Sequence, residues 1–198
     1  MSESQVTREV ARRVFATEFN DATYTFTESD DERAPNYALL PTGERANRVF
    51  VVGTLTETED VGDDSEYWRG RVVDPTGTFY VYAGQYQPEA AAVLRDAEPP
   101  IYVAVVGKPR TYEPDDGSIN VSIRPESISI VDADTRTRWV VETATRTLDR
   151  IDRFEAADDD PTQEYIAMAT DQYETSMDRY REAVVSALEN LEQAQSPA

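Results

Sequence analysis

The sequence predicts a mainly β protein, a five-stranded barrel with helical extensions at both ends, and three observations predict it. Five segments within residues 48–131 alternate apolar and polar residues in the manner of half-buried strands. One short helical stretch interrupts them, between the third and the fourth. Beyond Asp132 the alternation gives way to helical spacing.

Residues 5–19 set Val6, Val10 and Val14 at helical intervals with arginines on the other side, which predicts a short amphipathic helix packed on the barrel. In residues 23–43 an acidic and polar stretch, 28–33, reads as a loop between two short extended pieces. RVFVVGTLTET (48–58) is the first barrel strand, with Gly53 where a curved strand bends. EYWRGRVVD (66–74) and TFYVYAG (78–84) form a hairpin through the turn DPTG. QPEAAAVLRDAEPP reads as a helix that stops before Pro99. IYVAVVGKPRTYE (101–113) and GSINVSIRPESISIV (117–131) complete the set as the fourth and fifth strands. Five strands with one helix between the third and fourth is the order of an OB-fold barrel, the alternative being a generic small barrel.

Residues 135–156 and 162–193 are helical in pattern, with Pro161 at a natural helix start. The expected division is an N-terminal helix and extended segment over 1–47, the barrel over 48–132, and a helical region over 133–198. Ile166, Thr170, Tyr173, Met177, Tyr180, Val184, Ala187 and Leu191 alternate steps of four and three without a break, a narrow heptad seam. Such a seam needs a partner, either the chain's own helix and barrel or another subunit.

Composition narrows the chemistry. The chain has no Cys and no His, so there is no disulfide framework, thiolate nucleophile, imidazole base or zinc site built from either residue. No apolar run reaches eighteen residues and the first twenty carry charges throughout, so the expectation is a soluble cytoplasmic protein. Acidic residues number 39 against 19 basic ones, a formal net charge of −20. With patterned aliphatic and aromatic residues this composition indicates a folded, halophilic protein, since molar salt screens the self-repulsion of a carboxylate surface. The basic residues are kept in the middle: within residues 67–112 they slightly outnumber the acidic ones.

Strand alternation sorts the central hairpin into two faces. Trp68, Gly70 and Val72 share one side with Phe79 and Val81, which assigns Trp68 and Phe79 to the core. Tyr67, Arg69 and Arg71 share the other with Tyr80 and Tyr82, and two arginines are not buried cheaply, so this face is expected to meet solvent. Tyrosines beside arginines suit single-stranded DNA: base stacking on each ring contributes about 1–3 kcal/mol, and arginine adds phosphate contact and cation–π attraction. Exposed tyrosines that merely pair across strands are the plainer alternative. Tyr86, and Lys108, Arg110 and Tyr112 in the loop between the fourth and fifth strands, extend the expected DNA-binding surface. Trp139 is expected to seat the first C-terminal helix. Asp63–Asp64 and Asp115–Asp116 lie in loops and suggest no acid–base or metal role. The turn DPTG lacks the glycines and lysine of a phosphate loop.

The hairpin WRGRVVDPTGTFYVYAG, the helix after it and PPIYVAVVGKPRTYE resemble the OB-fold of archaeal replication protein A. PNYALLPTGERANRVFVVGTLTE and the long C-terminal helix resemble the replication protein A-associated proteins of haloarchaea. The match spans roughly residues 5–155 and is most specific at 48–57 and 68–84. The resemblance implies a DNA-binding accessory protein that partners a replication protein A subunit in replication and repair. It also implies that Arg69, Arg71, Tyr80, Tyr82, Lys108 and Arg110 stand on elements that face DNA. One departure is plain: the zinc finger of many archaeal large subunits is missing. The expected partners are therefore single-stranded DNA and the replication protein A large subunit, the latter through Ile166, Tyr173, Met177, Tyr180, Val184 and Leu191. No enzymatic activity and no cofactor are expected. The competing reading is an assembly module that leaves DNA to another subunit. An OB-containing nuclease or ligase fragment would need a metal cluster or an acceptor lysine, and Lys108, the sole lysine, has no nucleotidyltransferase setting.

Overall fold

The computed structural model describes residues 9–157 and 163–195. The chain enters as a strand, β1 (Arg12–Arg13), followed by the helix α1 (Ala16–Asp21). This corrects the helix expected over residues 5–19. Val6 lies outside the described residues, Val10 is 76% exposed, and Arg12 and Arg13 pair in parallel with Val49 and Phe50. Val14, Phe15 and Ala16 are all buried, a run of three that an amphipathic helix face cannot hide. The helix starts instead where the Asp74 carboxylate accepts the Ala16 amide at 2.8 Å. The two extended pieces within residues 23–43 form strands β2 (Thr25–Thr27) and β3 (Asn36–Leu40). With β4 (Glu44–Ala46) they make a separate antiparallel sheet in the order β2-β3-β4.

The barrel comprises β5 (Val49–Asp60), β6 (Trp68–Asp74), β7 (Gly77–Ala83), β8 (Ile101–Tyr112) and β9 (Asn120–Ile130), with α2 (Pro88–Asp96) between β7 and β8. Its strand order is β5-β6-β7-β9-β8, closed by β5 against β8. All pairings are antiparallel except β7 with β9, which meet in parallel at Val81 and Ile123. This is the predicted five-stranded OB-fold. The strand β5 serves twice, pairing with β8 from Val49 to Leu55 and with β6 from Thr54 to Asp60. Gly53 stands at the changeover, where a Cβ would lie 2.5 Å from the Val73 carbonyl oxygen, so only glycine allows the approach. The core contains Val51, Leu55, Val72, Phe79, Val81, Val103, Val105 and Ile123, with Leu94 of α2 reaching in over Gly70.

Three helices follow: α3 (Ala133–Ala156), α4 (Glu164–Gln172) and α5 (Met177–Gln195). Asp132 caps α3 by accepting the Thr135 amide at 2.8 Å. Trp139 seats that helix as expected, its indole Nε1 donating to the Phe50 carbonyl at 2.9 Å and its ring meeting Phe15 edge-on. The single helix expected over residues 162–193 is two. Tyr173 is extended between them because its hydroxyl donates to the Leu39 carbonyl at 2.6 Å and accepts the Tyr24 amide at 3.0 Å. Pro161 lies outside the described residues.

The heptad seam is also corrected as a recruiting surface. Val184, Ala187 and Leu191 join the main core, Met177 and Tyr180 pack with Ile151 of α3, and Ile166 is buried against the turn at Gly43. Baring a buried Val or Leu costs about 1.5–3 kcal/mol each, so the seam holds α5 to its own chain and is not available to a subunit. Beneath it Arg150, 3% exposed, donates to Glu18 at 2.6 Å, to Thr42 at 2.9 Å and to the Arg13 carbonyl at 3.2 Å. This charged pair ties α1 to α3 and to the turn leading into β4. Among the described residues no helix is long and apolar enough to cross a membrane.

Candidate nucleic-acid interface

The barrel presents one outer face on which β6, β7, β9 and β8 lie side by side. Strand alternation builds it. Phe79 and Val81 point into the core while Tyr80 and Tyr82 point out; Val103, Val105, Gly107 and Pro109 are buried while Lys108, Arg110 and Tyr112 are not. Cross-strand register sets Arg69 opposite Tyr82 and Arg71 opposite Tyr80. It likewise sets Lys108 opposite Arg124 and Arg110 opposite Ser122. Lys108, Arg110 and Tyr112 belong to the strand β8 itself, in agreement with the strand expected over 101–113 and against their assignment to the loop after it, which begins only at Glu113.

The face divides into two groups. Tyr67, Tyr82, Tyr86, Gln87, Arg110, Ser122 and Arg124 line a cleft of about 370 Å³, at the small end of the range for ligand sites. On one wall Tyr67 stacks on Tyr82 with ring centroids 5.6 Å apart and planes 22° apart. Burial raises the Tyr82 phenol above its ordinary value, and its hydrogen bond with Tyr112 raises it further, so the hydroxyl stays protonated. Tyr86, 84% exposed, forms the rim. The Gln87 carbonyl oxygen is occupied by the Gly84 amide at 3.2 Å. The second group lies toward β5. The Arg69 guanidinium is 5.9 Å from the Tyr80 ring centroid and donates to Glu59 at 2.5 Å, while Arg71 donates to Thr56 at 3.2 Å. Thus Tyr82, Tyr86 and Arg110 come together in the cleft, Tyr112 touches it through Tyr82, Lys108 lies one strand pair further along, and Arg69, Arg71 and Tyr80 form its flank.

Tyr67 and Arg124 are cleft residues that the sequence-based site did not include. Tyr67 carried a signal, since alternation already set it with Arg69 and Arg71. Arg124 carried none, because its position depends on the β7–β9 contact between strands about forty residues apart. Its guanidinium is held below its ordinary value by burial first and then by the charge of Arg110, with Glu126 pulling the other way. Among the described residues Arg71, Lys108 and Arg110 form no ion pair, and Arg124 is attracted by Glu126, a carboxylate already bonded to Arg48. The loops at either end of the cleft are acidic, with exposed Asp63, Asp64 and Glu66 before β6 and Glu113, Asp115 and Asp116 after β8. Trp68, assigned to the core, is half-buried against it, and its indole nitrogen has no hydrogen-bond partner; Phe79 is fully buried. No group of three or more acidic side chains could hold a metal ion among the described residues.

No protein-family model matches the chain, and no curated protein matches it in sequence. Among solved structures it is similar to a chain of the Stn1–Ten1 complex of S. pombe, at 12% identity and a TM-score of 0.59, over 73% of this chain and 96% of that one. Shorter overlaps, each over 43% of this chain, occur with Rim1, a mitochondrial single-stranded DNA-binding protein of S. cerevisiae, and with asparaginyl-tRNA synthetase from Pyrococcus horikoshii. The former has 19% identity, a TM-score of 0.34 and 92% of that chain; the latter 16%, 0.35 and 20%. The first likeness establishes the shared OB-fold with C-terminal helices.

Proposed function

We propose that the chain binds single-stranded DNA across the outer face of β6, β7, β9 and β8, as an accessory of a replication protein A complex and without enzymatic activity. The observation that carries this reading is the gathering of Lys108, Arg110 and Arg124 beside Tyr67, Tyr82 and Tyr86 on one face of a chain with net charge −20. Tyr67, Tyr80, Tyr82, Tyr86 and Tyr112 offer rings to bases, and Arg69, Arg71, Lys108, Arg110 and Arg124 offer charge to phosphates. The acidic loops repel a polyanion over a distance set by screening. In molar salt the Debye length is about 3 Å, so their repulsion stays local while stacking keeps its strength.

The experiment is fluorescence anisotropy of the full chain with a labelled oligothymidine and with a duplex of equal length, in molar KCl. Binding of the single strand in clear preference to the duplex is expected, because stacking needs exposed base faces. Equal affinity, or none, defeats the reading.

One observation favours the assembly-module reading in addition. Val141 of α3 and Val185 and Leu188 of α5 are exposed, and the contacts of Arg136 with Asn190 and of Arg181 with Glu155 run these helices antiparallel. A replication protein A subunit would then be met on the outside of the helical hairpin, the seam itself being occupied. Loss of DNA binding by the isolated chain with retention of that partnership is the outcome which favours it.

A further inference from the structure

Arginines on the two sides of the binding face stand in different electrostatic states. On the β6 side Arg69 is already neutralised by Glu59 at 2.5 Å. On the β8–β9 side Lys108 and Arg124 are opposite one another across the strands and Arg110 follows one outward position on; neither Lys108 nor Arg110 has an ion pair among the described residues. Glu126, the acid next to Arg124 on the outward side, is engaged by Arg48 at 2.6 Å. Arg110 and Arg124 repel one another on adjacent strands, Glu126 offsets part of this, and the partly buried setting of Arg124 weakens the screening of that repulsion. An anion seated between them relieves it. The cleft of about 370 Å³ lies between this row and the Tyr67–Tyr82 stack. Its polar lining consists of guanidinium groups, the Gln87 amide NH2, which donates to nothing among the described residues, and the Ser122 hydroxyl. Donors of this kind suit phosphate oxygens and base carbonyls.

Building on the single-stranded DNA reading, we propose that Lys108, Arg110 and Arg124 form the phosphate track and that the cleft between Tyr82 and Tyr86 holds one base beside it. Arg69 of β6 then contributes little to ion release. Arg69 must give up Glu59 to take a phosphate, so its net gain of charge contact is small. The strand lies with its backbone along β8–β9 and its bases turned toward β7.

The salt dependence of oligothymidine binding tests this division. Each phosphate contact on a single strand contributes about 0.7 to the slope of log affinity against log salt. The full chain is measured as wild type, Arg124→Gln, Arg124→Lys, Arg110→Gln and Arg69→Gln, over salt concentrations at which circular dichroism is unchanged for each. Arg124→Gln and Arg110→Gln are expected each to flatten the slope by about 0.7, Arg124→Lys to restore it, and Arg69→Gln to change it by clearly less. A wild-type slope in Arg124→Gln and Arg110→Gln, with binding intact, overturns the track while leaving the single-strand reading in place. Absence of wild-type binding removes both.

Discussion

The arginine beneath the helices and the arginines on the barrel face are the same residue type put to opposite uses. Arg150 is enclosed by Glu18, Thr42, Thr147 and a backbone carbonyl, every contact supplied by the chain itself. On the barrel face Arg110 has no ion pair among the described residues, and Arg124 on the neighbouring strand feels Glu126 as a carboxylate already bonded to Arg48. These cations stand beside tyrosines that line a cleft, an arrangement open to a ligand. The comparison separates the part of the charge pattern that holds the fold from the part available to a ligand.

The largest expected effect comes from breaking the buried pair. Arg150→Ala leaves Glu18 buried with no counter-charge, and a loss of about 3–5 kcal/mol in unfolding free energy is expected from denaturant titration. Replacing both partners together, Arg150→Met with Glu18→Leu, is expected to recover most of that loss, since the desolvation of both charges is removed. By contrast Arg110→Ala should leave stability within about 0.5 kcal/mol of wild type, as exposed substitutions do. A stability loss at Arg110 as large as that at Arg150 would erase the distinction between the two regions.

A smaller effect is expected from pH. Asp132 is held below the usual carboxylate range by the Thr135 amide first and the Thr135 hydroxyl second. A group whose folded pKa is depressed adds stability above its unfolded value, near 4, and loses it as pH falls through the folded one. The thermal midpoint should therefore decline in acid partly through this cap. Asp132→Asn should remove that component of the decline.

Much of the barrel was legible because its signals are local. Alternation in 68–74 and 78–84 with a turn between them predicts a hairpin and its faces, and Arg69, Arg71, Tyr80 and Tyr82 emerged on the outer side as expected. Features fixed by distant partners were not legible. The valine spacing near the N-terminus suggested a helix, but Arg12 and Arg13 gain a strand partner in β5 and Asp74 sets the helix start. The seam ran through Tyr173 without a break, yet its hydroxyl is claimed by β3 and the helix ends there. For the same reason the Tyr67–Tyr82 stack with Arg110 and Arg124 as a single cleft became visible only once β9 lay beside β7.

If the outer face of the barrel binds single strands chiefly by stacking, the double variant Tyr80→Ala with Tyr82→Ala must lose affinity. Its affinity for oligothymidine in molar KCl is compared with that of wild type and of Phe79→Ala, a core control on the same strand. A loss of on the order of 2 kcal/mol or more, nearly unchanged between high and moderate salt, is the expected result for the tyrosine pair. Phe79→Ala should instead cost about 3–5 kcal/mol of stability through the cavity it leaves, with binding by the remaining folded protein retained. Unaltered affinity in a folded tyrosine variant would contradict the account and leave the barrel as an assembly module.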